Sequence, residues 1–233
     1  MNIDDWSDQD KRNVGNYLQW NSYRSERHKL LYVATPKVAC TTLKWWFAAL
    51  EGYAEELRKI TDSSETDRDL IVHDSHRVAP HVTGLRLQDL RDALESDSFF
   101  QFALVRNPYK RIFSAWQSKL LLREPLQARP YIGTDFFHHP IATPTDVAKA
   151  FEGFLEHLAE NEAPSYWDHH WMPQADLLRP DLIEYTCLIK IEESEGLTER
   201  LREWMGTYIP SPFQGRRSNE SLIPYAPELI TPR

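Results

Sequence analysis

The chain has 233 residues, with 27 Lys and Arg against 35 Asp and Glu, a formal net charge of −8. That balance argues against a general polyanion binder and excludes nucleic acid as the expected partner, while leaving local anion sites open. No apolar run is long enough to span a bilayer, and two cysteines, Cys40 and Cys187, are too few for a disulfide framework.

Residues 1–28 are polar and read as an N-terminal arm. Their start, Met-Asn-Ile-Asp-Asp-Trp, lacks the basic and apolar regions of a secretory signal. The expectation is a cytosolic protein whose folded domain covers residues 29–233. Leu30 to Ala34 reads as a short strand buried on both faces, ended by Thr35-Pro36 because proline offers no ladder donor. Lys37-Val-Ala-Cys-Thr-Thr42 forms a turn, and Leu43 to Leu50 a helix closed by Gly52. The first-turn amides of Ala39 to Thr42 are then donors available to an anion. Thr41 and Thr42 add hydroxyls, and Lys37 adds a mobile point charge. The competing reading makes the two threonines ordinary caps. The Walker pattern G-x-x-x-x-G-K-[ST] is absent, which excludes an ordinary nucleoside-triphosphate loop.

Glu55 to Asp69 is a charged, solvated stretch, and Leu70-Ile-Val72 reads as a short strand. Leu85 to Leu94 carries apolar residues at helical spacing. Phe99 to Val105 is a second buried strand. Arg106 leaves its end, Pro108 suits a first helical turn, and Ser114 follows about two turns later. Arg106 offers a planar fork for a phosphate. Two such strand–turn–helix units suit the two phosphates of one nucleotide. Leu121 to Pro144 holds four prolines and reads as an acceptor-binding flap or, alternatively, a plain loop, because long connections are most often functional or unstructured. Val147, Phe151, Phe154, Leu155 and Leu158 line one helix face. Leu197, Leu201, Trp204 and Met205 line another. The fold expected is a single α/β domain with a mainly parallel sheet flanked by helices.

The Pro-Lys-Val-Ala-Cys-Thr-Thr run at 36–42 resembles the 5′-phosphosulfate loop of the sulfotransferases that use 3′-phosphoadenosine 5′-phosphosulfate (PAPS), specifically the carbohydrate branch, sulfotransferase family 2. Val105-Arg-Asn-Pro-Tyr-x-Arg-x-x-Ser114 resembles the 3′-phosphate motif of that family, with Arg106 and Ser114 at its spacing. Asp168-His-His-Trp-Met-Pro-Gln174 is similar to its acidic-x-His-Trp-x-Pro segment. Ile189-Lys-Ile-Glu192 is a weaker fourth match, and Arg216-Arg-Ser-Asn219 resembles the late basic segment that closes over the 3′-phosphate. Cys40 departs from the serine or threonine usual at its position. The Golgi members begin with a membrane anchor that this sequence does not show.

The resemblance implies a donor site made of Lys37, Val38, Ala39, Cys40, Thr41, Thr42, Arg106, Ser114, Arg216 and Arg217, with PAPS as donor substrate and PAP as product. Sulfuryl transfer needs an in-line donor, a stabilised leaving phosphate and a place for the acceptor proton. Lys37 serves the leaving phosphate. A base near neutrality is sought in Ile71-Val-His-Asp-Ser-His76, where a strand end would bring His73 or His76 to the ligand-binding edge of the sheet. His73 is placed first, His76 second and His81 third. His73, Asp74 and His76 can alternatively be read as metal ligands, but no further ligand set accompanies them and no metal is expected. His170 is read as orienting an acceptor or anchoring its loop, and Trp167 and Trp171 as stacking on a sugar or packing the core. The acceptor expected is a carbohydrate or another hydroxyl compound. A nucleotide kinase and a nucleotide-binding protein without transfer activity are the rival readings.

Overall fold

The computed structural model describes residues 7–8, 17–62, 68–160, 168–214 and 222–227. Arg216 and Arg217, like Trp167, lie outside them. The chain forms two compact units. One comprises residues 1–106 with 174–218, the other residues 107–173 with 219–233. Among the described residues the longer helices are α1 (Cys40–Leu50), α2 (Leu87–Glu95), α3 (Pro108–Trp116), α4 (Pro144–Glu160) and α5 (Ser194–Met205).

The first unit is built on a sheet of strands β1 (Ser22–Ser25), β2 (Leu30–Val33), β3 (Phe100–Val105) and β4 (Cys187–Lys190), in that spatial order. β1 and β2 form an antiparallel pair with Ser25 opposite Leu30. β2–β3 and β3–β4 are parallel, with Val33 opposite Ala103 and Val105 opposite Lys190. Every residue of β2 is buried, as expected of a parallel strand covered on both faces. Alternate side chains separate into two cores. Tyr32, Phe102 and Leu104 pack with Leu43, Phe47 and Ala48 of α1 and with Leu197 and Leu201 of α5. Leu31, Val33 and Ala103 pack with Leu90, Ala93 and Leu94 of α2. The fold class is therefore the α/β arrangement expected, with β2 and β3 each within one residue of the predicted strand.

Two elements differ from the sequence reading. β1 and the helical residues 17–21 fall in the stretch read as an arm; Ser22, Tyr23 and Ser25 are buried, and polar serines give no strand periodicity to read. Residues 70–72 are not a strand but part of a 3₁₀ helix, Arg68–Arg77. There the Ser75 hydroxyl donates to the Val72 carbonyl at 2.6 Å, a local bond that competes with sheet pairing.

In the second unit, α3 opens on Asn107, whose side chain accepts from the amides of Tyr109 and Lys110, with Pro108 in the first turn as predicted. It runs on as a π turn, Gln117–Leu121. Phe113 and Trp116 meet Phe151 of α4 with ring centroids 5.1 and 5.2 Å apart. The segment read as a flap contains short helices at Pro125–Ala128 and Asp135–His138, and its Ala128 and Tyr131 are buried in the same core. Among the described residues no helix is long and apolar enough to cross a membrane.

Candidate active site

The chain leaves β2 into Pro36-Lys37-Val38-Ala39, a turn in which the Val38 amide donates to the Thr35 carbonyl at 3.3 Å. Lys37 (φ 65°) and Ala39 (φ 52°) both hold left-handed backbone. Glycine adopts that conformation freely, whereas other residues hold it at a cost of about 1–2 kcal/mol each. Left-handed residues alternating with others turn successive amides to one side, the concave pattern that holds anions. Ala39 is the N-cap of α1, no side chain caps it, and the first turn contains no acidic residue. The threonines are therefore not the caps of the competing reading, and no acidic side chain of the first turn offsets the positive end of α1. Thr41 is buried, while Cys40 and Thr42 are half-buried.

Four sequence segments meet at Arg106. Its guanidinium Nη1 donates to the Lys37 carbonyl at 3.2 Å, which brings together the two motifs that the sequence reading took as phosphate grips. Its amide donates to Gln174 Oε1 at 2.9 Å, and Gln174 Nε2 donates to its carbonyl at 2.8 Å. Gln174 thus clamps the backbone from which the guanidinium projects. Burial lowers the Arg106 pKa from its ordinary value, opposed by the negative charge of Glu192; the group stays charged, since arginine lies far above neutrality. Glu192 belongs to the Ile189–Glu192 segment and Gln174 ends the Asp168–Gln174 segment.

The 3₁₀ helix presents His73, which is exposed, to α1. His73 Nδ1 lies 3.0 Å from Nζ of Lys44. Lys44 of α1 is 4% exposed, and its Nζ stands 5.4 Å from the centroid of the Tyr23 ring. His76 is differently placed. Its ring meets Trp20 edge-on at 5.3 Å, and its Cβ closes on Gly84, where an added Cβ would lie 3.1 Å away. His81 is exposed. All three histidines belong to helical or turn structure, so the expected strand-end placement is replaced by the 3₁₀ helix.

Ser114 is buried on α3 in the second unit. Arg111, one of the basic residues of the same motif, is buried there and donates to the carbonyls of Met172 and His169 at 2.7 and 2.8 Å. Its charge holds the Asp168–Gln174 segment instead of projecting outward. Within that segment His170 Nδ1 donates to Asp168 Oδ1 at 2.5 Å, since a carboxylate can only accept. Burial lowers the His170 pKa to about 4 against the pull of Asp168. Burial acts upward on Asp168, but the His170 hydrogen bond and the two histidine charges outweigh it and hold the carboxyl well below the usual range. Trp171 is 4% exposed, edge-on to Tyr131 and Phe154 at 5.7 and 5.5 Å. Of the two readings given for Trp171, this is the core-packing one. Among the described residues, Asp168, His169 and His170 are the group whose possible ligand atoms lie within 4.8 Å of one another; His73, Asp74 and His76 form no such group.

The model of the sulfotransferase family matches residues 20–222. The chain belongs to the sulfotransferase family. Among similar proteins, mouse carbohydrate sulfotransferase 14 is 28% identical over 185 residues, covering 78% of this sulfotransferase chain and 45% of its own length. Carbohydrate sulfotransferase 10 of Xenopus laevis is 25% identical, covering 70% of this chain and 47% of its own. Human carbohydrate sulfotransferase 9 is 23% identical, covering 74% and 38%. The chain therefore spans just under half the length of the first two and less of the third. No solved structure matches it to a significant degree.

Proposed function

We propose that this sulfotransferase moves the sulfuryl group of PAPS onto a hydroxyl of a carbohydrate. The observation that carries the reading is the Arg106–Lys37 contact at 3.2 Å, which ties the motif resembling a 3′-phosphate grip to the one resembling a 5′-phosphosulfate loop. Family membership and the names of the similar proteins support sulfuryl transfer and a carbohydrate acceptor. In this reading the amides of Ala39 to Thr42 hold the 5′-phosphosulfate at the start of α1, and Arg106 binds the 3′-phosphate by charge-assisted hydrogen bonds. Lys37 stabilises charge on the leaving phosphate. Ser114, Arg216 and Arg217 enter through the resemblance alone. The acceptor oxygen attacks sulfur in line, with no covalent enzyme intermediate and no obligatory metal, and a histidine takes its proton. His73 is favoured over His76 because it is exposed and held by Lys44, whereas His76 packs against Trp20.

The test is incubation with sulfur-labelled PAPS and a panel of desulfated glycans. The expected result is label in a glycan with an equal yield of PAP. Nucleotide binding without transfer to any acceptor would favour the non-catalytic rival, and phosphoryl transfer from ATP with Mg²⁺ would favour the kinase.

A further inference from the structure

We infer, resting on the carbohydrate transfer proposed above, that a cavity of the first unit holds an anionic sugar of the acceptor, one carrying a carboxylate or a sulfate. The cavity has a volume of about 320 Å³ and is lined by Trp45, Arg58, Arg68, Asp69 and Ile71. That volume falls in the range of pockets that enclose small ligands, and all five residues belong to one unit.

Three elements build it. Trp45 stands on α1, where Leu43, Phe47 and Ala48 are buried and its own ring is half-buried. Its indole N–H donates to the Asp69 carbonyl at 2.8 Å, which fixes the ring against the 3₁₀ helix Arg68–Arg77. Arg58 ends the short helix Ala54–Arg58, and its guanidinium carbon stands 5.0 Å from the centroid of the Trp45 ring. Arg68 reaches back toward that helix. Its Nη1 donates to the Ile60 carbonyl at 2.9 Å and its Nη2 to the Arg58 carbonyl at 2.7 Å. Ile71 adds apolar surface.

The charges of the lining point to an anion. A guanidinium has five N–H donors, and the two carbonyls take two of those on Arg68. The neighbouring arginines are matched by carboxylates, Arg58 by Glu55 and Arg77 by Asp62 and Asp74 at 2.8 and 3.6 Å. Among the described residues Arg68 has no such ion pair. The Arg58–Glu55 pair is exposed on both sides, 56% and 80%, and such pairs contribute little, so a bound anion competes for Arg58 as well. Two guanidiniums against the one carboxylate of Asp69 leave the lining net positive. A sugar suits this mixture: its C–H face packs on an aromatic ring, its hydroxyls donate to a carboxylate, and its acid group takes charge-assisted bonds from arginine. The cavity also lies along the elements assigned to the transfer. Trp45 is five residues beyond Cys40 on α1, about 7.5 Å of helix. Asp69 and Ile71 precede His73 on the 3₁₀ helix by about 8 and 4 Å. The sugar held there is therefore a neighbour of the one that receives the sulfuryl group.

The test reads the indole N–H of Trp45 by nitrogen-15 NMR of tryptophan-labelled protein, assigned with Trp45→Phe. Methyl glucuronide or glucose 6-sulfate at millimolar concentration should shift that signal, methyl glucoside should not, and the shift should be lost in Arg68→Met. A shift with the glucuronide alone identifies a carboxylated sugar, and one with the sulfate alone a sulfated sugar. No shift with either, or an equal shift with the neutral glucoside, would overturn the inference. That comparison is made on the parent protein and decides the matter even if Arg68→Met fails to fold. In transfer assays Arg68→Met should raise KM for the anionic glycan that accepts label at least about 10-fold, with PAP affinity within about threefold of the parent; an unchanged KM would also overturn the inference. If no glycan accepts label, the function proposed above fails whatever the NMR shows. If a glycan accepts label and no sugar moves the Trp45 signal, only the subsite fails.

Discussion

Arg106 is the residue on which the site converges, through Lys37, Gln174 and Glu192. Arg106→Ala should weaken PAP binding by about 1.5–3 kcal/mol, the range for a hydrogen bond to a charged group, as read by titration calorimetry. Unchanged affinity would remove the 3′-phosphate assignment. Lys37→Ala should behave differently and cut turnover much more than PAP affinity, because charge on the leaving phosphate develops mainly in the transition state; equal losses would make Lys37 a binding residue. Lys37 and Arg106 stood out in the sequence as candidates because each sits in a local run of apolar strand, basic residue and helix start. Their partners were not. Gln174 and Arg106 stand 68 positions apart and Lys44 and His73 stand 29 apart, and no periodicity links residues that only the sheet and helix packing bring together.

At the level of elements, the phosphate turn achieves with Lys37 and Ala39 the left-handed backbone that glycine usually supplies. Ala39→Gly should leave stability within about 0.5 kcal/mol of the parent, since relief of strain offsets added freedom in the unfolded chain. Ala39→Val should cost about 1–2 kcal/mol in urea unfolding; a neutral valine would contradict the strained turn. The Asp168–Gln174 segment carries a pH dependence. His170 binds its proton more weakly when folded, at about pH 4, than when unfolded, near 6.5. Its contribution is therefore present above about pH 6.5 and lost as pH falls toward 4, amounting to up to about 3 kcal/mol. Melting curves of the parent should fall across that window, and His170→Gln should flatten the fall. β2, β3 and the longer helices were readable because apolar runs and helical spacing are local signals. The run at 70–72 was not, because a three-residue apolar stretch fits a strand and a buried 3₁₀ turn equally well. The segment 121–144 was read as a flap from its prolines, whereas burial of Ala128 and Tyr131 gives it a packed interior.

For the whole molecule, a net charge of −8 is compatible with the anion site proposed above, because the positive end of α1, Lys37 and Arg106 come together within the first unit. The central claim is that this arrangement is a PAP site, and the direct measurement is the melting temperature with PAP, with ATP and Mg²⁺, and with neither. PAP at about 100 times its Kd should add roughly 2.7 kcal/mol, a rise of about 5–10 °C for a chain of this size, and at the same PAP concentration the rise should fall to about half or less in Arg106→Ala. A rise with ATP and Mg²⁺ alone, or no rise with either nucleotide, would contradict the account.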